Sequence, residues 1–431
     1  MAPGTDSMNK SILGIAFHFP PVATSSGMQR ALKFVRYLRE DGWRPVVLTV
    51  HPRAYSRQNP SQLGEIPADV PVCRAFGLDA TRHLAIRRRY LGLLAMPDPW
   101  ISWCLGAVPA GLSLIRRYKP AIIWSTFPVT TATLVGLVLA RASGLPWVVD
   151  FRDPMTMEGY PADSRRWRMT RWLEQQAVAR AARCIFTAEH TRQMYVHRYP
   201  HLAGRSVVIP NGYDETNFPT HTGSAPLQSG HQLRLVHSGE MPSDGRNPGP
   251  LFEALGRLRT EGVLGPANFR LVLRASGVEA EYQELARRLD VSDLVSFEPH
   301  VPYEQAIQEM VAADALLVFQ GSAYNHAVPA KLYEYLYARR PIFALLDRAG
   351  ETENVLRGLG IESRADIRNV DEISSVLRLF IAQLRTGSAP QPTLEQITPF
   401  SRRRQAGRLV EVLEEVLRET AVASLSVQDR G

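Results

Sequence analysis

Apolar positions along the chain alternate between two rhythms. Residues 11–17 (SILGIAF) form a short apolar run that predicts a buried strand, and residues 27–40 then place Ala31, Phe34, Val35 and Leu38 at helical spacing. Residues 45–50 return to a strand-like run, completing a βαβ unit. Further strand-like runs at 121–124, 147–151, 184–187 and 207–209, with helical patterns between them, predict a parallel sheet covered on both faces. A polar, turn-rich stretch, residues 211–232, interrupts this order. The same grammar then restarts, with strands at 233–237, 269–274, 294–297, 315–319 and 341–346 and helices at 250–260, 279–289 and 303–312. The fold class this predicts is α/β, with two Rossmann-like doubly wound domains in series and a deep inter-domain cleft for a ligand. The expected segments are a first domain over 1–212, a linker over 213–232, a second domain over 233–398, a terminal helix over 399–421 and a disordered tail over 422–431.

Composition agrees with two cores, since 431 residues exceed what one core usually organises. Cys73, Cys104 and Cys184 are scattered without paired or metal-type spacing, which excludes a disulfide framework and predicts a reducing compartment. The N-terminal residues lack the basic-then-apolar order of a signal peptide, so the expected location is cytoplasmic. Residues 121–140 carry no charge over 20 positions, the length of a membrane span. Pro128 and the threonines at 126, 130, 131 and 133 instead predict a short strand followed by a helix.

Charge is unevenly shared. Residues 1–210 hold 27 Lys and Arg against 13 Asp and Glu, a balance of +14, while the remainder carries −6 of the net +8. A basic first half points to an anionic partner such as a membrane surface, or to a solvated arginine-rich face. No nucleic-acid-binding motif accompanies it.

Five stretches carry candidate chemistry. In FHFPPVATSSGMQR, residues 17–30, Gly27 lets backbone amides at a helix start approach a phosphate, and Ser25 or Ser26 can cap that helix; a plain capped turn has the same signature. In VVDFRDPM, residues 148–155, Asp150, Arg152 and Asp153 stand at the carboxyl end of a strand, where doubly wound sheets bind ligands, or where an aspartate and an arginine pair structurally. VIPNGYDETNF, residues 208–218, is a turn directly after a strand. The loop VHSGEMPSDGRNPGPLFEAL, residues 236–255, supplies glycines and Arg246, whose guanidinium can hold a diphosphate or simply be solvated. In NHAVPAKLYEYL, residues 325–336, Pro329 suits a helix start, and Lys331 and Glu334 lie on nearly one face. Glu334 offers two acceptor oxygens to the vicinal hydroxyls of a ribose, or forms a surface pair with Lys331 beside a core stripe of Leu332, Tyr335 and Leu336. Neither an Asp-x-Asp metal motif, a G-x-S-x-G elbow nor a P-loop is present.

In this order, FPPVATSSGMQRALKFVRYLREDGW, GLPWVVDFRDP, VIPNGYD and VPAKLYEYLYARRPI resemble the GT-B glycosyltransferases of family four, the bacterial group 1 type, over residues 10–420. The resemblance implies a hexosyltransferase-type enzyme in which two Rossmann-like domains close over a nucleotide-diphosphate sugar. The donor would lie mostly on the second domain, the acceptor on the first, and the terminal helix would cross back to the first. It further implies retention of configuration without metal or cofactor, and a saccharide or lipid-linked acceptor in surface polysaccharide or glycolipid biosynthesis. Peripheral contact with an anionic membrane at its cytoplasmic side would suit such an acceptor. Residue by residue, Gly27 matches the family's glycine loop near the donor phosphates, and Arg246 matches the diphosphate-binding cation. Glu334 matches the ribose-binding glutamate, and Asp153 the aspartate of the DFRDPW stretch. The implied catalytic set is Asp153, Arg246 and Lys331; the implied donor-binding set is Gly27, Gly239, Arg246, His326 and Glu334, with no metal site. His326 stands where the family carries a glutamate that contacts the transferred sugar, and Glu240 stands where an arginine is usual. These departures keep two alternatives open: a non-transferring relative such as a nucleotide-sugar epimerase, and a catalytically weak binding module at the membrane surface.

Overall fold

The structure is a computed structural model, and it describes residues 9–23, 26–85, 90, 92–219, 230–242 and 245–428. The chain divides into two compact units, one formed by residues 1–210 with 402–431 and the other by residues 211–401.

The first unit holds seven strands, β1 (Ser11–Ala16), β2 (Arg44–Val50), β3 (Val72–Ala75), β4 (Ile122–Thr126), β5 (Trp147–Asp150), β6 (Arg183–Phe186) and β7 (Ser206–Val208). They lie in the order β3-β2-β1-β4-β5-β6-β7, and every pairing is parallel. Its helices are α1 (Ser26–Glu40), α2 (Ala80–His83), α3 (Cys104–Tyr118), α4 (Thr130–Ser143), α5 (Ser164–Arg180) and α6 (Glu189–Arg198). Alternation along the strands explains why the runs look uniformly apolar. Leu13 and Ile15 face one cluster with Leu48, Ile123 and Val149, whereas Ile12 and Ala16 face the other with Val47, Trp124 and Val148. The uncharged stretch 121–140 is divided between β4 and α4, and among the described residues no helix is long and apolar enough to cross a membrane.

The second unit repeats the plan with six parallel strands, β8 (Leu233–Ser238), β9 (Phe269–Arg274), β10 (Val295–Glu298), β11 (Ala315–Gln320), β12 (Ile342–Leu346) and β13 (Arg364–Asp366), in the order β10-β9-β8-β11-β12-β13. Its helices are α7 (Gly249–Thr260), α8 (Glu279–Arg288), α9 (Tyr303–Ala312), α10 (Ala330–Tyr337), α11 (Glu351–Gly358), α12 (Val370–Thr386) and α13 (Leu394–Ile397). Each sheet changes direction once, between β1 and β4 and between β8 and β11, so the loops leaving those strands diverge around a crevice at their carboxyl ends.

Two segments differ from the sequence expectation. Residues 211–219, most of which read as linker, pack into the second unit: Tyr213 stacks on Tyr337 with ring centroids 4.3 Å apart, and Asp214 caps the turn at Thr216 with a 2.9 Å bond. Residues 220–229 of that stretch lie outside the described residues. The terminal helix, α14, spans Arg402–Gln428 rather than stopping at 421, because AVASLSVQ contains no glycine or proline to end it; residues 429–431 lie outside the described residues. Ala406, Leu409, Val412, Leu413 and Val416 of α14 recur at helical spacing and complete the α1 side of the first unit's core.

Candidate functional site

The second unit gathers its polar chemistry at the carboxyl ends of β8 and β11. In the strand LRLVHS the apolar residues Leu233, Leu235 and Val236 lead to His237, whose fully buried ring packs edge-on against Phe319. Its Nδ1 lies 2.8 Å from the Leu317 carbonyl, which can only accept, so the proton sits on Nδ1 and Nε2 is left as an acceptor. Lys331 Nζ lies 3.3 Å from that Nε2. Burial, then the Lys331 charge, holds the His237 imidazole well below its ordinary pKa, so the ring is neutral and receives the ammonium.

Lys331 is the cation around which this site is built. Burial pushes its ammonium down to about 7, the Arg246 charge adds to that, and Glu334 and Glu240 oppose it. Gly239, directly after β8, has φ +112°, a backbone conformation open to glycine, and a Cβ there would come 2.6 Å from Lys331 Nζ. The glycine therefore serves both the turn and the approach of the ammonium to the main chain.

Arg246 is held from three sides. Its Nη1 donates to the Glu240 carbonyl at 3.0 Å, its Nη2 donates to Gln320 Oε1 at 3.1 Å, and its guanidinium lies 4.9 Å from the Tyr324 ring centre. Gln320, buried at the end of β11, uses its amide nitrogen on the carbonyls of Tyr324 and Ala327, both at 3.2 Å. Gly321 brings its own backbone against the same loop, since a Cβ there would meet the Gly245 carbonyl at 2.6 Å. The arginine is thus fixed by a folded loop.

Helix α10 begins after Pro329, which occupies the N-cap without a side-chain cap, and buries Leu332, Tyr333, Tyr335 and Leu336. Of the two alternatives for Glu334, the surface pair with Lys331 is not among the ion pairs of the described residues, although the Glu334 charge still acts on the ammonium. Lys331 turns to His237, while Glu334 Oε1 accepts the Tyr303 hydroxyl at 2.7 Å. Helix geometry accounts for the separation, since Lys331 lies in the first turn, beneath Gly239, and Glu334 one turn further on, beside α9. His326 lies half-buried in the turn after the short 3-10 helix Ser322–Tyr324, two residues beyond the ring under Arg246. One edge of this unit therefore brings Gly239, Arg246, Lys331 and Glu334 together. Two cations beside a helix start can bind a diphosphate, and a carboxylate one turn away can bind a diol.

Gly27 and Asp153 belong to the other unit. Gly27 is buried in the first turn of α1, and Ser25, a candidate cap, lies outside the described residues. The pairing available to VVDFRDPM is taken by Asp150 and Arg30 rather than by Asp150 and Arg152. Arg30 Nε and Nη2 donate to the two Asp150 oxygens at 2.8 and 3.0 Å, with both side chains fully buried. Arg30 also donates to the carbonyls of Ile209 (2.9 Å) and Pro210 (2.8 Å), tying α1 and β5 to the last residues of the sheet. Arg152 takes φ +28° and is buried, and Asp153 beside it is exposed. The loop that carries them is anchored by fully buried Glu174, which accepts from the Thr156 amide (3.1 Å) and hydroxyl (2.9 Å), Tyr195 (2.9 Å) and Tyr199 (2.8 Å). Among the described residues, no group of three or more His, Cys, Asp or Glu side chains is arranged to hold a metal ion.

Sequence reasoning passed over His237, Gln320, Tyr303 and Arg30. A histidine or glutamine closing an apolar strand, and an arginine four residues before Phe34 on a buried helix stripe, are the signals that mark three of them. Tyr303 carries no comparable signal.

Two Rossmann-like units with this strand order define the fold of the GT-B glycosyltransferases. Residues 26–212 match the model of the glycosyl transferase 4-like domain, and the fold of the chain is that of the GT-B glycosyltransferases. Among solved structures, sucrose-phosphate synthase from Thermosynechococcus elongatus is similar at 12% identity and TM-score 0.60, covering 98% of this chain and 99% of its own. A glycosyltransferase from Rickettsia africae is similar at 12% identity and TM-score 0.64, over 95% of this chain and 99% of its own. HepE of Anabaena, solved in complex with UDP-glucose, is similar at 15% identity and TM-score 0.63, over 94% of this chain and 99% of its own. No curated protein matches the chain.

Proposed function

We propose that this chain transfers a hexose, with retention and without a metal ion or cofactor, from a nucleotide-diphosphate sugar to a saccharide or lipid-linked acceptor in bacterial surface polysaccharide or glycolipid biosynthesis. The enzyme works at the cytoplasmic face of the membrane. The observation that carries the reading is the convergence of Lys331, Arg246 and the start of α10 around Gly239, with Glu334 one turn away. In this arrangement Arg246 and Lys331 hold the diphosphate and stabilise the charge that develops as it departs, while the Glu334 carboxylate receives the ribose hydroxyls. The neutral His237 imidazole orients the Lys331 ammonium, and Gln320 and Tyr324 orient Arg246. His326 lies where the transferred sugar is selected. Asp153, exposed on the anchored loop of the first unit, lies on the acceptor side and steers the attacking hydroxyl. A UDP-glucose complex of one similar fold supports a uridine or other nucleoside diphosphate as the shared donor element.

The test is a panel of nucleotide sugars assayed for nucleoside diphosphate release, with Arg246→Ala and Glu334→Ala compared to the unaltered chain. Both substitutions are expected to lower kcat/KM at least about 100-fold, as expected for removing a charge-assisted contact to the transferred group's carrier. Full activity in both variants would overturn the site assignment. Donor conversion with no acceptor present would replace transfer by isomerisation.

A further inference from the structure

Helix α5 is apolar and cationic on the same outward face. It turns Thr170, Leu173, Glu174, Ala177 and Val178 inward, while Arg165, Arg168, Met169 and Trp172 recur at three- and four-residue spacing on the opposite, exposed side. The exposed tryptophan here contrasts with others in the chain. Trp43, Trp103, Trp124 and Trp147 are fully buried, whereas Trp172 is 49% exposed. Tyr160, on the loop leading into α5, is 55% exposed, and Met169 is 37% exposed. Arg166 donates to the Ala95 carbonyl at 3.3 Å, which brings Leu94, 42% exposed, beside the same end of the helix.

Negative charge is withdrawn from this face. The one acid within α5, Glu174, is fully buried on the inner side and held by Thr156, Tyr195, Tyr199, Arg171 and Arg198. Asp163 precedes the helix and accepts from the Arg166 amide at 2.7 Å, and the next acid before it in the sequence is Glu158, in the exposed loop. Among the described residues no carboxylate pairs with Arg165 or Arg168. An aromatic, a thioether and two uncompensated guanidiniums on one face suit a plane that is apolar below and anionic above. The surplus of +14 over residues 1–210 extends the attraction well beyond this helix, which fits a continuous charged surface better than a single acidic peptide.

We propose that the outer face of α5 docks the chain on an anionic lipid bilayer, with Trp172, Met169 and Tyr160 at the headgroup boundary and Arg165 and Arg168 on lipid phosphates. This deepens the membrane-contact part of the reading above. Vesicle binding and sugar transfer are separate measurements, so failure of one is distinguishable from failure of the other. The test uses the full chain in cosedimentation with vesicles of phosphatidylcholine alone and of phosphatidylcholine with phosphatidylglycerol, at low and high salt, while following tryptophan emission. Binding is expected to require the anionic lipid, to weaken with salt, and to shift the emission of Trp172 to the blue. Arg165→Gln with Arg168→Gln should lower partition about 25-fold, given the contribution of each basic residue at such a surface. Met169→Ser with Trp172→Ser should weaken binding and remove the emission shift, while the melting temperature of each double variant stays that of the parent. Three results would each overturn the proposal: equal partition onto both vesicle types, parent-like partition in the variants, or self-association through Trp172 with no vesicle binding in sedimentation velocity.

Discussion

Replacing Gly239 by alanine tests whether the turn after β8 is a functional element. The substitution does two separable things. It forces an L residue into φ +112°, a conformation essentially restricted to glycine, at about 1–3 kcal/mol. It also places a methyl group where the Lys331 ammonium now sits, 2.6 Å from Nζ, so the flexible lysine swings away from the crevice. The first effect lowers stability and, for a unit of this size, melting by roughly 4–8 °C at the middle of that range. The second removes one charge-assisted bond to a diphosphate, worth about 1.5–3 kcal/mol, which corresponds to a roughly 10- to 100-fold rise in Kd. Gly144→Ala is the control. Gly144 closes α4 with φ +73° and has open space around the position of a Cβ, so alanine there strains the backbone without touching the site. Differential scanning calorimetry and titration calorimetry with the nucleoside diphosphate that the parent binds best, UDP tried first, read the two effects. Both variants should melt lower, but only Gly239→Ala should lose affinity. If Gly239→Ala binds within about twofold of the parent, a difference too small for a lost charge-assisted bond, the Lys331–Gly239 contact has no part in binding.

Three further outcomes follow from groups described above. With Lys331 held near 7 in the folded chain and near its ordinary 10.5 when unfolded, the unfolded chain binds the extra proton between those values, so this lysine makes the ligand-free protein more stable as pH rises from 7 to 10.5. Diphosphate affinity should run the other way, falling through the same range by titration calorimetry, and Lys331→Met should flatten that fall while raising ligand-free stability. Asp150→Ala strands the buried Arg30 guanidinium and should cost about 3–5 kcal/mol in urea unfolding, whereas Arg30→Met with Asp150→Leu should recover most of it. Tyr303→Phe removes the hydroxyl that donates to Glu334 Oε1 and should raise the Kd for nucleoside diphosphate about three- to tenfold, a smaller effect than that of Glu334→Ala, measured by the same calorimetry.

Much of this architecture was readable in advance because parallel strands buried on both faces leave runs such as SILGIA and ALLVFQ, which no other element explains as well. The edge strands β3 and β13 were not readable, since VCRA and RAD are short and partly charged. At the site, NHAVPAKLYEYL displayed a lysine and a glutamate on one face, and spacing favoured a mutual ion pair. The resemblance already favoured the ribose-binding alternative, and the partners that separate the two side chains are distant in sequence. His237 and Gly239 come from a strand roughly ninety positions earlier, and they draw Lys331 inward, while Tyr303 takes Glu334. Asp150 shows the same limit, because its partner Arg30 lies 120 positions earlier in the chain, and only its place before Phe34 on a buried stripe hinted at a buried charge.

The return of α14 to the first unit has a consequence for how the molecule is made. Strands β1 to β7 leave the ribosome early, but the core cluster that holds Ile12, Trp43 and Trp124 is completed only when Ala406, Leu409, Leu413 and Val416 arrive, after the whole second unit has been synthesised. Until then the nascent chain displays an apolar groove along α1. The second unit, contiguous from residue 211 to 401, can finish folding first. A nascent chain halted between residues 401 and 406 therefore carries a complete second unit and a first unit that still lacks α14, and holdase chaperones would meet this protein at that stage of its birth.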